Sequence, residues 1–191
     1  MIDVFLSASV PLPTRNREFY ETADILAIRE SIKALVEVIL PVGRITFGGH
    51  PAITPLLALF SREANLDNDR IFLYQSDFFK DEYPNDIKKF LSVNIVPAVN
   101  NNIVKSLVAM RHEMIKSKKF HAAVLIGGME GLLKEHEIFV KYHPHATILP
   151  IPTTGAAAEI IFNQGDFDHT LARERTYSSL FRRKLLTLDK N

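Results

Sequence analysis

The chain has 191 residues, of which 47% are hydrophobic and 24% are charged, and its formal net charge is +1. These values are ordinary for a globular protein, so they exclude a disordered chain and make nucleic acid an unlikely main partner. The chain contains no cysteine, which excludes a disulfide framework and a cysteine-rich zinc site.

The length fits one domain, so we expect a single domain over residues 1–191 that includes the last predicted helix. No apolar run approaches the roughly 20 residues of a membrane span. The first residues, MIDVFLSAS, lack a charged region followed by a long apolar stretch. We therefore expect a cytoplasmic protein that does not contact a membrane.

Short apolar runs alternate with longer amphipathic ones, which predicts βα units. The predicted strands are 2–7, 44–49, 71–76, 94–99, 122–128 and 146–152, and the predicted helices cover about 22–40, 54–65, 102–118, 131–142, 156–164 and 169–186. Residues 11–24 read as one long polar loop. Pro97 predicts a sheet edge or a strand end, because proline cannot donate to a strand ladder. The predicted fold is α/β, a Rossmann-like three-layer fold with a mostly parallel sheet and helices on both faces.

Small and polar residues follow the predicted strands, and ligands of parallel α/β sheets bind outside the carboxyl ends of the strands. Glycine lets the backbone approach a ligand, and the helix that follows offers unpaired N–H groups that suit phosphate. The same residue types also favour turns and helix caps, so that reading stays open for each turn alone. The candidate ligand-binding residues are Ser7, Ser9, Gly48, Gly49, His50, Gln75, Gly127, Gly128, Met129, Glu130, Gly131, Thr153, Thr154 and Gly155.

Several other chemistries find little support in the sequence. His143 and His145 flank Pro144, but no carboxylate lies near enough in sequence to complete a metal site. Their loop also precedes a strand, on the side opposite the strand carboxyl ends. We expect no metal and no resident cofactor. A Gly-x-Ser-x-Gly elbow and a P-loop are both absent from the sequence, which argues against a serine hydrolase and a kinase.

Four segments in order carry a family resemblance: FLSAS, FGGHPAITPLL, IGGMEGLLKEHEIF and PIPTTGAAAEI. Over about residues 2 to 163 they resemble the SLOG superfamily, the Rossmann-like group that includes the LOG phosphoribohydrolases and the DprA/Smf proteins. The similarity is closest to the sensor-type branch, whose members often accompany TIR or sirtuin effectors in bacterial defence systems. This resemblance implies a nucleotide-derived ligand, such as a molecule related to NAD or ADP-ribose.

The LOG enzymes hydrolyse the N-glycosidic bond of a nucleoside monophosphate. They carry a Pro-Gly-Gly-x-Gly-Thr-x-x-Glu motif, whose glutamate works with an arginine on the preceding helix. By resemblance, Gly127 and Gly128 match the glycine pair, Gly131 matches the third glycine, Glu135 matches the glutamate and Arg111 matches the arginine. Arg111 and Glu135 are therefore the catalytic residues if the protein is an N-glycosidase.

This sequence departs from the LOG motif at three points. Ile126 replaces the proline, Leu132 replaces the threonine, and one extra residue separates the glycine pair from Gly131. The lost hydroxyl would have helped to hold phosphate. The longer loop moves Glu130 to where phosphate would lie, and a carboxylate there repels phosphate or reaches a ribose hydroxyl instead.

Three hypotheses on function follow. The first is a nucleotide-derivative sensor, which would need a separate effector protein as its partner. The second is a LOG-like N-glycosidase, unless Glu135 is an exposed helix carboxylate beside Lys134 and Arg111 is a solvated helix residue. The third is a structural protein that assembles through its helices and binds nothing.

We also expect a homo-oligomer of at least two chains. The related LOG enzymes pair through helices, and the last predicted helix carries an apolar stripe at helical spacing. The alternative is that this stripe packs on the chain's own sheet. The stripe consists of Tyr177, Leu180, Phe181, Leu185 and Leu188.

Overall fold

The computed structural model describes residues 1–14, 17–66 and 68–187. In this part of the chain the strands are β1 (Ile2–Ser9), β2 (Gly43–Gly48), β3 (Ile71–Ser76), β4 (Ser92–Val96), β5 (Ala122–Gly127) and β6 (Thr147–Ile151). They form one sheet in the order β4-β3-β2-β1-β5-β6, and every pairing is parallel. The predicted α/β fold with a parallel sheet is confirmed.

Helices cover both faces of the sheet. They are α1 (Arg17–Thr22), α2 (Ile25–Ile39), α3 (Thr54–Glu63), α4 (Ile103–Lys116), α5 (Glu130–Tyr142), α6 (Ala156–Gln164) and α7 (Tyr177–Leu185). Strand side chains alternate between faces. Val4 and Leu6 of β1 therefore pack with α2, α3 and α7, whereas Phe5 packs with α4, α5 and α6.

Helix α2 begins at a well-formed cap. The carboxylate of Asp24 accepts a hydrogen bond from the Ala27 N–H at 2.9 Å and another from Arg175 at 3.0 Å. These bonds, that of Ala27 first, lower the pKa of Asp24. The same side chain therefore satisfies an otherwise unpaired N–H of the first turn and ties the C-terminal segment to α2.

Two predicted boundaries are wrong for local reasons. The predicted polar loop 11–24 contains α1, whose Phe19 is buried. The single helix predicted over 169–186 consists of a 3-10 turn, His169–Arg173, and then α7. The side chains of Asp168 and Glu174 each accept a main-chain N–H two residues ahead, which favours turns over a continuous helix.

Strand β4 ends at Val96, directly before Pro97, and it lies at an edge of the sheet, as the proline predicts. The apolar stripe of the last helix packs inside the chain, on the α2 side of the sheet, in its described members: Tyr177, Leu180, Phe181 and Leu185. Leu188 lies outside the described residues. Within the described ranges, every helix is too short or too polar to cross a membrane.

Candidate functional site

The connections that follow β1 and β5 run in opposite directions along the sheet. The chain leaves β1 toward β2, β3 and β4, returns through α4 to β5, and continues to β6 on the other side. Connections that diverge in this way leave a crevice at the carboxyl ends of the strands, where ligands of such sheets bind. Ser9 and Gly127 face each other across this point.

A glycine turn forms the β5 side of the crevice. Gly127 and Gly128 have φ values of 57° and 91°, in the left-handed region that favours glycine. The Gly128 N–H donates to the carbonyl of Ser9 at 2.9 Å, which fastens the turn to β1. A Cβ added to Gly128 would lie 2.5 Å from Cδ1 of Leu132. Both backbone conformation and space therefore require glycine here.

Helix α5 starts directly after this turn without a side-chain cap. Met129, which is 9% exposed, occupies the cap position with an extended backbone, and its side chain accepts no hydrogen bond. The first N–H groups of a helix have no partner within the helix and carry a partial positive charge. The α5 N-terminus therefore offers donors to a ligand beside the exposed Glu130.

Ser7, Arg111 and Glu135 meet on the α4 and α5 side of the crevice. The Ser7 hydroxyl donates to Oε2 of Glu135 at 2.5 Å, and Nε of Arg111 donates to Oε1 at 3.3 Å. Only 11% of the Arg111 side chain and 14% of the Glu135 side chain are exposed. The readings of Arg111 as a solvated residue and of Glu135 as an exposed carboxylate are therefore wrong.

The Glu135 carboxyl has a shifted pKa. Burial raises this pKa, and the charge of Arg111 and the hydrogen bond from Ser7 only partly oppose the effect. A buried carboxyl with a raised pKa and a specific cationic partner is typical of functional sites, although ion pairs that only support a fold can show the same shift.

Gly131 leaves space for the guanidinium of Arg111. A Cβ on Gly131 would lie 3.0 Å from Nη2 of Arg111, so a larger residue would press on the guanidinium. In the described part of the chain, the Arg111 guanidinium donates one hydrogen bond to the protein, and the donor is Nε. The Nη groups remain available to an anion or to an oxygen of a sugar.

The carboxyl ends of β2 and β3 lie beside that of β1, at the same end of the sheet. The Nδ1 atom of His50 accepts the N–H of Ala52 at 3.2 Å, so the imidazole is held by its own turn. A Cβ on Gly48 would only touch Met110 and Met114 of α4. The Gln75 amide occupies the space beside Gly49, where a Cβ would lie 1.8 Å from Nε2.

The residues that follow β6 form several hydrogen bonds within the chain. Thr154 is fully buried, and its hydroxyl accepts the Gly127 N–H at 2.8 Å and donates to the Ile151 carbonyl at 2.6 Å. The Thr153 hydroxyl donates to the carbonyl of Glu174 at 3.1 Å.

The loop between α1 and α2 closes the same end of the sheet. A Cβ on Gly155 would lie 1.8 Å from the carbonyl oxygen of Thr22, and the Thr22 hydroxyl caps the N–H of Ala156 at 3.0 Å. Thr153, Thr154 and Gly155 therefore contact the chain's own backbone. Thr153 and Gly155 also line a cavity of about 510 Å³, together with Arg173 and Arg175. Sequence reasoning missed Thr22, because 134 residues separate it from Ala156.

A groove of about 630 Å³ lies at the opposite end of the sheet, where β5 and β6 begin, and it is lined by residues 118–121 and 142–147. The Nε2 atom of His143 lies 2.7 Å from the carbonyl oxygen of Ile115. In the part of the chain that the structure describes, no group of three or more His, Asp or Glu side chains is arranged to hold a metal.

The chain matches the model of a known protein family. The model of the SLOG cluster3 family matches residues 18–185, a range that includes the glycine turn, Arg111 and Glu135 and that begins after β1. No curated protein and no solved structure matches the chain.

Proposed function

Because the chain belongs to the SLOG cluster3 family, we propose that it binds a nucleotide-derived small molecule at the crevice between β1 and β5. The proposed role is that of a sensor domain in a bacterial defence or signalling system. The observation that carries the proposal is the glycine turn of Gly127 and Gly128, which leads straight into the uncapped N-terminus of α5. Such a turn suits phosphate or ribose oxygens.

Each group at the crevice has a proposed role. The N–H groups at the start of α5 would donate to phosphate or ribose oxygens, and Glu130 would accept a ribose hydroxyl. The Nη groups of Arg111 would contact the same ligand, while Glu135 holds the guanidinium in position. Ser7 keeps the Glu135 carboxylate oriented through its hydroxyl.

A second candidate function is N-glycosidic cleavage, which the arrangement of Ser7, Arg111 and Glu135 favours. Glycosidic cleavage passes through an oxocarbenium-like state that a carboxylate can stabilise. The raised pKa of Glu135 also suits a group that exchanges a proton during the reaction. In this reading, Glu135 stabilises the sugar and Arg111 binds the substrate.

The position of Leu132 makes us prefer the sensor. Leu132 stands where the LOG motif has threonine, it is 3% exposed, and it packs against Gly128. The α5 N-terminus therefore lacks the hydroxyl that would hold a phosphate group, and Glu130 adds a negative charge beside it. A site with these features favours the ribose end of a ligand over tight binding of a monophosphate.

The first test is a ligand panel on the wild-type protein. Adenosine monophosphate, NAD, ADP-ribose and cyclic ADP-ribose are each added, and thermal shift and release of free base are followed in parallel. A ligand held at one hundred times its dissociation constant should stabilise the domain by about 2.7 kcal/mol. The sensor proposal expects a shift without turnover, whereas many turnovers of base release would replace it with the N-glycosidase.

Two variants separate these outcomes further. In a sensor, Glu130→Ala should weaken binding by about 1 to 3 kcal/mol through loss of a charge-assisted bond, whereas Glu135→Gln should change affinity only a few-fold. In an N-glycosidase, Glu135→Gln should keep binding and lower base release by about a hundredfold or more. Glu137→Gln, at an exposed position of the same helix, is the matched control.

Two proposals on partners accompany this function. The first is that an effector protein responds to the sensor. We also propose a dimer or larger homo-oligomer, which must use a surface other than the described part of the stripe on α7, because those side chains are buried. Light scattering at micromolar concentration measures the mass, and a monomer would contradict the second proposal.

A further inference from the structure

The side-chain amide of Gln75 lies near the carboxyl end of β3 and has no hydrogen-bond partner in the described part of the protein. Gln75 is the fifth residue of β3, and only 6% of it is exposed. Among the described residues, no group forms a hydrogen bond with this amide. A mostly buried amide that no protein group satisfies requires an explanation, and solvent or a ligand can supply its hydrogen bonds.

Gly49 makes room for this amide. A Cβ on Gly49 would lie 1.8 Å from Nε2 of Gln75, so any other residue type would displace the side chain. Gly49 is not among the residues with positive φ, so space rather than backbone conformation requires glycine. The Gly49 N–H donates to the carbonyl of Tyr74 at 2.9 Å, which fixes the turn against β3.

The amide is also open to a ligand. In the described ranges, the side-chain polar atom that is both fully enclosed and unpaired is Thr46 Oγ1, so the Gln75 amide keeps contact with solvent. The strand register puts Gln75 one residue nearer to the carboxyl edge than Ser7. The two residues are two strands apart, about 10 Å, and their side chains leave opposite faces of the sheet. Gln75 lies on the α2 and α3 side and Ser7 on the α4 and α5 side, so a ligand that contacts both must cross the carboxyl ends of the strands.

Resting on the function proposed above, we propose that Gln75 recognises the base of a nucleotide whose ribose lies near Glu135. An amide presents one acceptor and two donors, which match the neighbouring donor and acceptor on the edge of adenine. Gln75 is therefore a specificity-determining residue, and the ligand class it selects is adenine nucleotides. Glycine at position 49 is part of the same recognition element.

The test compares a ligand that has a base with one that lacks it. Calorimetry measures the affinity of adenosine monophosphate and of ribose 5-phosphate for the wild type and for Gln75→Met, which keeps the length of the side chain. The variant should lose about tenfold or more in affinity for adenosine monophosphate and keep its affinity for ribose 5-phosphate. Gln75→Glu, whose ionised carboxylate only accepts hydrogen bonds, should show the same selective loss.

Gln164→Met is the matched control, because Gln164 is the only other glutamine of the chain and lies exposed at the C-terminus of α6. Unchanged affinity for adenosine monophosphate in a folded Gln75 variant would overturn this inference and leave the proposed function standing. Equal losses for both ligands would assign Gln75 to the sugar phosphate and overturn base recognition. A wild type that binds neither ligand would overturn this inference, whereas the proposed function fails only if no member of the ligand panel described above shifts the melting temperature.

Discussion

Replacing Glu135 with glutamine tests the electrostatics of the crevice. Burial raises the pKa of Glu135 in the folded protein despite its contacts with Arg111 and Ser7. Above the ordinary carboxyl pKa of about 4.3, the folded wild type therefore binds more protons than the unfolded chain. The free energy of unfolding of the wild type should then fall as the pH rises through the folded-state pKa.

Glu135→Gln removes this titration and keeps the shape of the side chain. The free energy of unfolding of the variant, minus that of the wild type, should therefore increase with pH above about 4.3. One proton limits the slope to about 1.4 kcal/mol per pH unit. Urea unfolding at several pH values between about 3 and 8 measures the difference. Glu37→Gln, at an exposed position of α2, corrects for general effects of pH.

A difference that falls with pH would refute the reasoning. It would mean that the attraction of Arg111 exceeds the cost of burial and lowers the pKa of Glu135. A difference that does not change with pH would mean that the carboxyl titrates alike in the folded and unfolded chains. Either result would show that the pKa of Glu135 is not raised. The argument for proton transfer by Glu135 would then lose this support.

Three further substitutions test the packing around the site. Gly131→Ala should weaken nucleotide binding in calorimetry, because its Cβ would lie 3.0 Å from Nη2 of Arg111. Thermal unfolding should change little, because the gain of about 1 kcal/mol in helix propensity offsets the cost of the close contact with Arg111. Gly128→Val should cost about 1–3 kcal/mol in urea unfolding, because the turn is left-handed and Leu132 fills the space, and an unchanged midpoint would contradict that geometry. Asp24→Ala should cost about 1 kcal/mol at neutral pH. Because the pKa of Asp24 is lowered, this cost should shrink as the pH falls below about 4, and a constant cost would argue against the carboxylate cap.

Sequence patterns predicted the fold well where the signal is local. The apolar runs located all six strands of the described chain, and Gly127 and Gly128 marked a turn that the structure shows in the left-handed region. Resemblance to the LOG motif pointed to Arg111 and Glu135, which the structure brings into contact. In each case residue type or spacing along one element carries the information.

Contacts between distant segments could not be predicted in this way. Ser7 and Glu135 are 128 residues apart in sequence, and nothing near Ser7 indicates that its hydroxyl meets a carboxylate. The threonines and glycine after β6 resemble a phosphate turn, and nothing near them in sequence indicates that Thr22 packs against Gly155 and caps Ala156. Short polar turns look alike in sequence, whether a ligand or the chain itself satisfies them.

The most direct test of the proposed site is to map where a nucleotide binds. Nuclear magnetic resonance of the ¹⁵N-labelled protein, titrated with the ligand that gives the largest thermal shift, reports on each backbone amide. The account predicts the largest chemical-shift changes at Ser9, Gly127, Gly128 and Gly131. Changes confined to the groove at the amino ends of β5 and β6, residues 118–121 and 142–147, would contradict it.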